Sequence, residues 1–376
     1  MTLGSPPQSF RAVVDISQVD VVVTSSECDD GASWSGICNS GHFQYHGSWS
    51  KSTVPSTQLI QGDYPLLLYQ ARVTKDRFSL AGLEIDLQGF HEAIEAFPDP
   101  FTPWVNEFDA ILGFSIDDHD SVAGLKSPMT NMLENDVISY GMVSIMLGRW
   151  GRKIGLVPGE IAIGGVNEQM LKPGTTVRFI PVSNRIDPPH AESRYLNGTW
   201  QVEAQSVGFT WYNDTSGENL TVYHELPAAT GTARFDTIWP SISLPAQVAE
   251  PLEQIGQPSR HFFSHPVIPC QRISILPDLL FHLGGKEFVL RPEDYILETV
   301  KRQGDEDNGC IWTIEAIPRL PGRTADILGL GSPFLRAFYT VLDRDRRNIG
   351  FGEPRWKSWA DEDIPGSWLP SPRGRD

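Results

Sequence analysis

Two acids in this 376-residue chain each close a short apolar run. Asp15 ends Phe10-Arg11-Ala12-Val13-Val14, Asp236 ends Ala233-Arg234-Phe235, and a turn follows each. Positioned carboxyl groups can carry protons to and from reacting atoms, so general acid–base work is the chemistry open to these residues. Other chemistries lack their residues. His261 and His265 stand four apart, but no Glu follows the first and Pro266 follows the second, so no metal site is expected. Gly329-Leu330-Gly331-Ser332 has no Lys after it and is not a nucleotide loop. No Gly-x-Ser-x-Gly elbow is present, and Ser17 has no His near it in sequence. No cofactor is expected.

The elements that must position the two acids read as mainly β. Hydrophobic residues are 40% and charged residues 20% of the chain, a globular composition. Short β-branched runs are separated by many of the 34 Gly and 29 Pro, which favours strands and turns. Residues 10–23 predict two strands joined at Asp15–Gln18, residues 57–87 further strands, and Phe108–Phe114 a buried strand. Met129–Glu134 predicts a helix, residues 137–147 a strand, and residues 160–182 more strands. The stretch 183–232 reads as polar and loop-rich. Residues beyond 356 read as an extended or mobile tail. Ile-Leu-Gly follows each acid, at Ile111–Gly113 and at Ile327–Gly329. The chain thus carries a weak internal repeat, as two similar lobes would give.

Thirty Lys+Arg against 47 Asp+Glu leave a formal charge of −17. So acidic a surface repels phosphate backbones and anionic lipid, and neither nucleic acid nor a membrane is an expected partner. No run approaches the ~18–20 apolar residues of a membrane span. Cys28, Cys38, Cys270 and Cys310 form two local pairs, which suits two disulfides as well as it suits free thiols. Asn197-Gly-Thr, Asn213-Asp-Thr and Asn219-Leu-Thr are glycosylation sequons, expected on an exposed loop of a secreted protein. Met1 leads almost directly into a turn and a strand, so the N-terminus reads as truncated after removal of any signal and pro-segment.

These residues resemble the pepsin-like aspartic protease family over nearly the whole chain. Leu3-Gly4-Ser5-Pro6-Pro7-Gln8 is similar to its Ile-Gly-Thr-Pro-x-Gln opening, and Phe108–Gly113 to its Phe-Asp-Gly-Ile-Leu-Gly. Ile161–Val166, Gly198–Val202, Pro277-Asp278 and Pro292–Leu297 resemble further family runs in the same order. The best match is Phe334–Asp343 with Asn348–Phe351. The resemblance implies a mainly β, bilobal pepsin-like fold with a cleft between two β-rich lobes. The lobes would be residues 1–178 and 179–355, with a tail over 356–376. It implies Asp15 and Asp236 as the catalytic pair and a Cys270–Cys310 disulfide. Two carboxyls sharing a proton about 3 Å apart cannot both ionise, so one is base and the other acid, as in the pepsin dyad that typifies the pattern.

The turns depart from the family's Asp-Thr/Ser-Gly followed by Ser or Thr. Asp15-Ile16-Ser17-Gln18 places Ser17 at the Gly and Gln18 at the hydroxyl. Asp236-Thr237-Ile238-Trp239 keeps Thr237 but places Ile238 at the Gly and Trp239 at the hydroxyl. These losses predict misplaced or poorly hydrogen-bonded carboxylates, and about 1 Å of misplacement costs about 100-fold in rate. Trp239 reads as core filling or as the cleft floor. Tyr64 falls on the flap tyrosine, followed by Pro65-Leu66-Leu67-Leu68-Tyr69 in place of Gly-rich residues. A substrate-binding set of Tyr64, Leu66, Leu67, Leu68, Ser17, Gln18, Thr237 and Trp239 suits an apolar ligand better than an extended peptide. The leading expectation is therefore a monomeric, non-proteolytic enzyme holding an apolar small molecule. The alternatives are an active aspartic endopeptidase and a non-catalytic pseudoprotease that binds a peptide or partner.

Overall fold

The computed structural model describes residues 1–29, 38, 43–64, 67–98, 108–116, 121, 123–151, 155–183, 200–213, 217–228, 231–259, 265–298, 309–317 and 327–359. The fold is mainly β and bilobal, with two compact units, Met1–Gly141 with Ile186–Trp200, and Met142–Arg185 with Gln201–Asp376. β-Branched and aromatic residues fit a pleated, half-buried surface, and strands are the main regular element of both units.

The first unit holds β1 (Thr2–Leu3), β2 (Gln8–Ser9), β3 (Ala12–Asp15), β4 (Val21–Asp29), β5 (Val54–Tyr64), β6 (Leu67–Leu80), β7 (Leu83–Pro98) and β8 (Ala110–Gly113). They form one eight-stranded sheet in the order β2-β1-β6-β7-β4-β8-β3, with β5 on β6. β3 runs parallel to β8, while β4 returns antiparallel on the other side of β8. Helix α1 (Pro128–Glu134) begins at Ser127, whose hydroxyl accepts the Thr130 N–H, with Pro at the first turn, where a missing N–H costs nothing. Ile16, Val21, Val23, Ile111, Leu112 and Phe114 are buried around the β3–β4 turn. A disulfide joins Cys28 to Cys38.

The second unit is built from several sheets. Its strands are β9 (Met142–Met146), β10 (Arg149–Gly151), β11 (Gly155–Val157), β12 (Glu160–Ile163), β13 (Arg178–Pro181), β14 (Gln201–Asn213), β15 (Glu218–Glu225), β16 (Thr232–Phe235) and β17 (Ile242–Leu244). After helix α2 (Ala246–Gly256) come β18 (Val267–Pro269), β19 (Leu279–Leu283), β20 (Lys286–Leu290), α3 (Pro292–Tyr295), β21 (Ile296–Glu298), β22 (Gly309–Trp312), β23 (Ile314–Ala316) and β24 (Ile327–Leu330). The last elements are α4 (Ser332–Arg336), β25 (Tyr339–Asp343), β26 (Asn348–Gly352) and α5 (Trp356–Trp359). An eight-stranded sheet runs β20-β19-β14-β16-β24-β17-β23 with β15 on β14, and a five-stranded one runs β12-β9-β25-β26-β13. Cys270 and Cys310 are disulfide-bonded. Phe235, Phe281, Phe288, Phe334 and Phe351 are buried, with neighbouring ring centroids 5.0–5.6 Å apart. Each such ring stabilises the fold by roughly 1.5–3 kcal/mol through burial.

The wiring around each acid recurs. β16 runs parallel to β24, and β17 returns antiparallel beside β24, as β3, β8 and β4 do in the first unit. The register corrects the sequence repeat. Asp15 pairs with Gly113, whereas Phe235 pairs with Leu330, so the glycine beside Asp236 is Gly331 and not Gly329.

Three other expectations need correction, and one helix lies where the sequence pattern predicts none. Residues 183–232 include β14 and β15, a long hairpin whose alternating polar residues mask its strand character. The strand expected over 137–147 begins only at Met142. Pro251 interrupts the periodicity of helix α2, although Val248, Ala249, Leu252 and Ile255 line its buried face. The tail does not leave the fold at 356. Trp356 packs with Met146, Val157, Leu171, Tyr339 and Val341, and the Arg149 guanidinium lies 4.2 Å from its ring.

Candidate functional site

Asp15 ends β3 and is fully buried. Its main-chain carbonyl accepts the Phe114 N–H at 2.8 Å, and the Phe114 carbonyl accepts the Trp200 indole N–H at 2.9 Å. Asp15 is therefore tied to the residue after β8, which is itself pinned by a buried Trp. The Asp15 Oδ1 accepts two bonds from Ser17, one from its N–H and one from its hydroxyl, both at 2.7 Å. The expectation of lost support is thus corrected at this turn. Ser at the glycine position keeps the backbone donor and also supplies the short hydroxyl that Gln18 lacks. Ile16 is buried and adds apolar packing instead of a hydrogen bond.

Asp236 follows β16 directly. Its N–H donates to the Leu330 carbonyl at 3.2 Å, and Phe235 before it sits in the phenylalanine cluster. The Asp236 Oδ1 accepts the Ile238 N–H at 2.7 Å and the Trp239 N–H at 3.0 Å. The expected poor hydrogen bonding is corrected here too, because both donors are backbone groups that any non-proline residue provides. Thr237 is half-buried. Burial pushes the Asp236 carboxyl above the ordinary aspartate value, against the opposing pull of the Ile238 and Trp239 N–H groups and the Arg234 charge.

The reading of Trp239 as core filling is also corrected. The residue is 38% exposed, and its indole N–H donates to Glu315 Oε1 at 2.9 Å. Strand β23 is too short and isolated a pattern to have flagged Glu315. The close backbone approach that a glycine permits lies on β8 and just after β24. A Cβ on Gly113 would stand 2.5 Å from the Val19 carbonyl carbon and 2.6 Å from the Gln18 oxygen. A Cβ on Gly331 would stand 2.3 Å from the Trp239 and Ser241 oxygens.

Tyr64 and Leu67 pair at the turn end of the β5–β6 hairpin, where the flap was expected. Leu66, and the side chains of Tyr64, Leu67 and Leu68, lie outside the described residues. Gln18 is half-buried and accepts the Ser115 N–H on its carbonyl at 2.8 Å. Asn213 and Asn219 lie at the far end of the β14–β15 hairpin, and Asn197 lies outside the described residues.

The protein-family model that describes the eukaryotic aspartyl proteases matches residues 1–354. Vacuolar protease A of Neurospora crassa is 27% identical over 353 residues, covering 93% of this chain and 76% of that protein. Renin of Canis lupus familiaris is 25% identical, covering 94% of this chain and 78% of that protein. Cathepsin D of Mus musculus is 26% identical over 372 residues, covering 93% and 78%. With the two acids each held at the end of a parallel strand by donors from the following turn, the chain belongs to the eukaryotic aspartyl protease family.

Proposed function

We propose that this protein is an aspartic endopeptidase, active at acid pH, in which Asp15 and Asp236 hydrolyse a peptide bond through a shared water. The matched pair of carboxylate cradles carries this reading: each Oδ1 accepts two hydrogen bonds from the residues just after its acid. Preorganised donors of this kind hold a carboxylate in place without reorganisation during the reaction. One carboxylate takes a proton from water as the water oxygen attacks the carbonyl carbon. The other, protonated, hydrogen-bonds the carbonyl oxygen. The C–N bond then breaks, with the proton passing to the departing amine. The upward push that burial gives Asp236 favours retention of a proton there.

With those donors in place, lost support no longer favours an enzyme acting on an apolar small molecule or a non-catalytic binder. The two disulfides fit a protein matured in an oxidising compartment of the secretory pathway. Incubation with acid-denatured protein substrate at pH 3–5 tests the activity. Cleavage that a statine-type inhibitor blocks, and that Asp15→Ala and Asp236→Ala each abolish, is expected. Neither cleavage nor inhibitor binding in the wild-type protein would reject the reading.

A further inference from the structure

The turn after Asp236 has lost its short hydroxyl and has gained an indole whose exposed ring is nevertheless anchored. Glu315 Oε1 accepts the Trp239 indole N–H at 2.9 Å and also the Ser243 hydroxyl. Ser243 and Glu315 are register partners on the parallel strands β17 and β23. On the other side of β17, Ser243 faces Gly329 of β24, where a Cβ would stand 2.9 Å from the Ser243 hydroxyl oxygen. Three strands thus fix where that carboxylate lies. The backbone of Trp239 is held at its carbonyl by the Ser332 N–H at 2.7 Å. Its own N–H points to Asp236.

We propose, building on the endopeptidase reading, that Glu315 is a positioning residue for Asp236: it clamps the Trp239 ring and so keeps the Trp239 backbone N–H on the Asp236 carboxylate. A ring held only by its backbone could change rotamer and no longer brace the turn against main-chain motion. An indole held at Nε1 fixes the residue from both ends. The hydroxyl that the motif has lost is replaced by a backbone donor, and the distant acid keeps that donor aimed. The other charged groups acting here are Arg234 on Asp236 and His265 on Glu315, and neither is changed by the variants below.

The test compares Glu315→Ala, Glu315→Gln and Trp239→Phe in the full chain. Two readouts are used: the pH profile of kcat/KM, and the carboxyl titration of Asp236 followed by 13C NMR and assigned by its loss in Asp236→Asn. Loosening one hydrogen bond to an ionised carboxylate is expected to move the titration upward by about one pH unit and to lower kcat/KM about tenfold, through kcat more than KM. Glu315→Gln keeps an acceptor oxygen and stays near wild type. Trp239→Phe keeps the ring but loses the donor, so it behaves as Glu315→Ala, and the double variant loses nothing further. An Asp236 titration unchanged in Glu315→Ala overturns the proposal. Should that variant not fold, an unchanged titration in Trp239→Phe does the same. A shifted titration in a protein that cleaves no peptide supports the clamp and rejects the endopeptidase reading, so the two failures are told apart.

Discussion

Ser17 is the sharpest place to perturb the first turn, because one side chain supplies the hydroxyl that the turn otherwise lacks. Its N–H and its O–H both reach Asp15 Oδ1 at 2.7 Å. Ser17→Ala removes the O–H and keeps the N–H, and it leaves buried Ile16 and the β3–β8 pairing untouched. A hydrogen bond to a charged acceptor contributes about 1.5–3 kcal/mol. Losing it from the ionised form should lower kcat/KM by about 10–100-fold, at about 1.4 kcal/mol per decade. The same energy favours the protonated form, so the acid limb of the kcat/KM profile should move to higher pH by about 1–2 units. Ser17→Thr keeps the hydroxyl and should recover most of the loss. Ser17→Gly restores the family residue but not the hydroxyl, and should match Ser17→Ala. The assay is cleavage of a quenched-fluorescence peptide from pH 2 to 7, with thermal melts to confirm equal folding. Ser17→Ala within about twofold of wild type, on an unshifted profile, would refute the idea that this hydroxyl stands in for the missing one.

Gly113→Ala and Gly331→Ala push a Cβ into main-chain atoms and should each cost about 1–3 kcal/mol, whereas Gly165→Ala meets nothing within 4 Å and should melt as wild type; urea titration separates them. The Cys270–Cys310 bridge spans 40 residues and Cys28–Cys38 spans 10, so replacing the first pair by Ala should cost about 4 kcal/mol and the second about 3 kcal/mol on the chain-entropy account, read from denaturant midpoints. His91 is buried, accepts or donates at Tyr69 through Nδ1 at 2.8 Å, and lies 3.8 Å from Asp20. Burial lowers its proton affinity although Asp20 opposes this, so the unfolded chain takes the proton first. Stability should then fall as pH drops below about 6.5 toward the folded value, and His91→Gln should melt with a weaker acid dependence. Asp236 has the opposite sign. Its proton affinity is raised on folding, so its contribution is complete below about pH 3.8 and is lost as pH rises through the folded value. Asp236→Asn should therefore raise the melting temperature more at pH 7 than at pH 3.

Much of the strand order was legible because apolar alternation and Gly/Pro punctuation are local signals. The β3–β4 turn and the buried strand at 110–113 follow from such signals, whereas the Cys270–Cys310 bridge is implied by the family resemblance and the local Cys pairs alone leave free thiols open. What stayed hidden depends on register or on distance. Gly331 escaped notice because Ile327–Gly329 repeats the letters of Ile111–Gly113, and only the Phe235–Leu330 pairing places the right glycine. Glu315 lies 76 residues from Trp239, and no spacing rule connects them. Helix α2 was hidden by Pro251, and the β14–β15 hairpin by polar residues on its strands. The donors to the acids are hidden for a different reason. A residue letter reports a side chain, and three of the four donors at the two turns are backbone N–H groups.

That distinction explains how the two turns can lose their consensus letters and still hold their acids. A glycine is required where a Cβ would strike main chain, or where the backbone must turn left-handed. Neither condition falls on Ser17 or Ile238, since no positive backbone φ occurs at either. The tight approach falls instead on Gly113 and Gly331, each set against the loop after its acid. The turn is then free to vary in side chain provided that its second residue after the acid keeps an N–H, which every residue but proline has. At Asp15 that residue also brings the hydroxyl, and at Asp236 the next N–H takes the place of one. Each acid therefore receives two donors by a different route, and the chemistry depends on the donors and not on the letters that usually announce them.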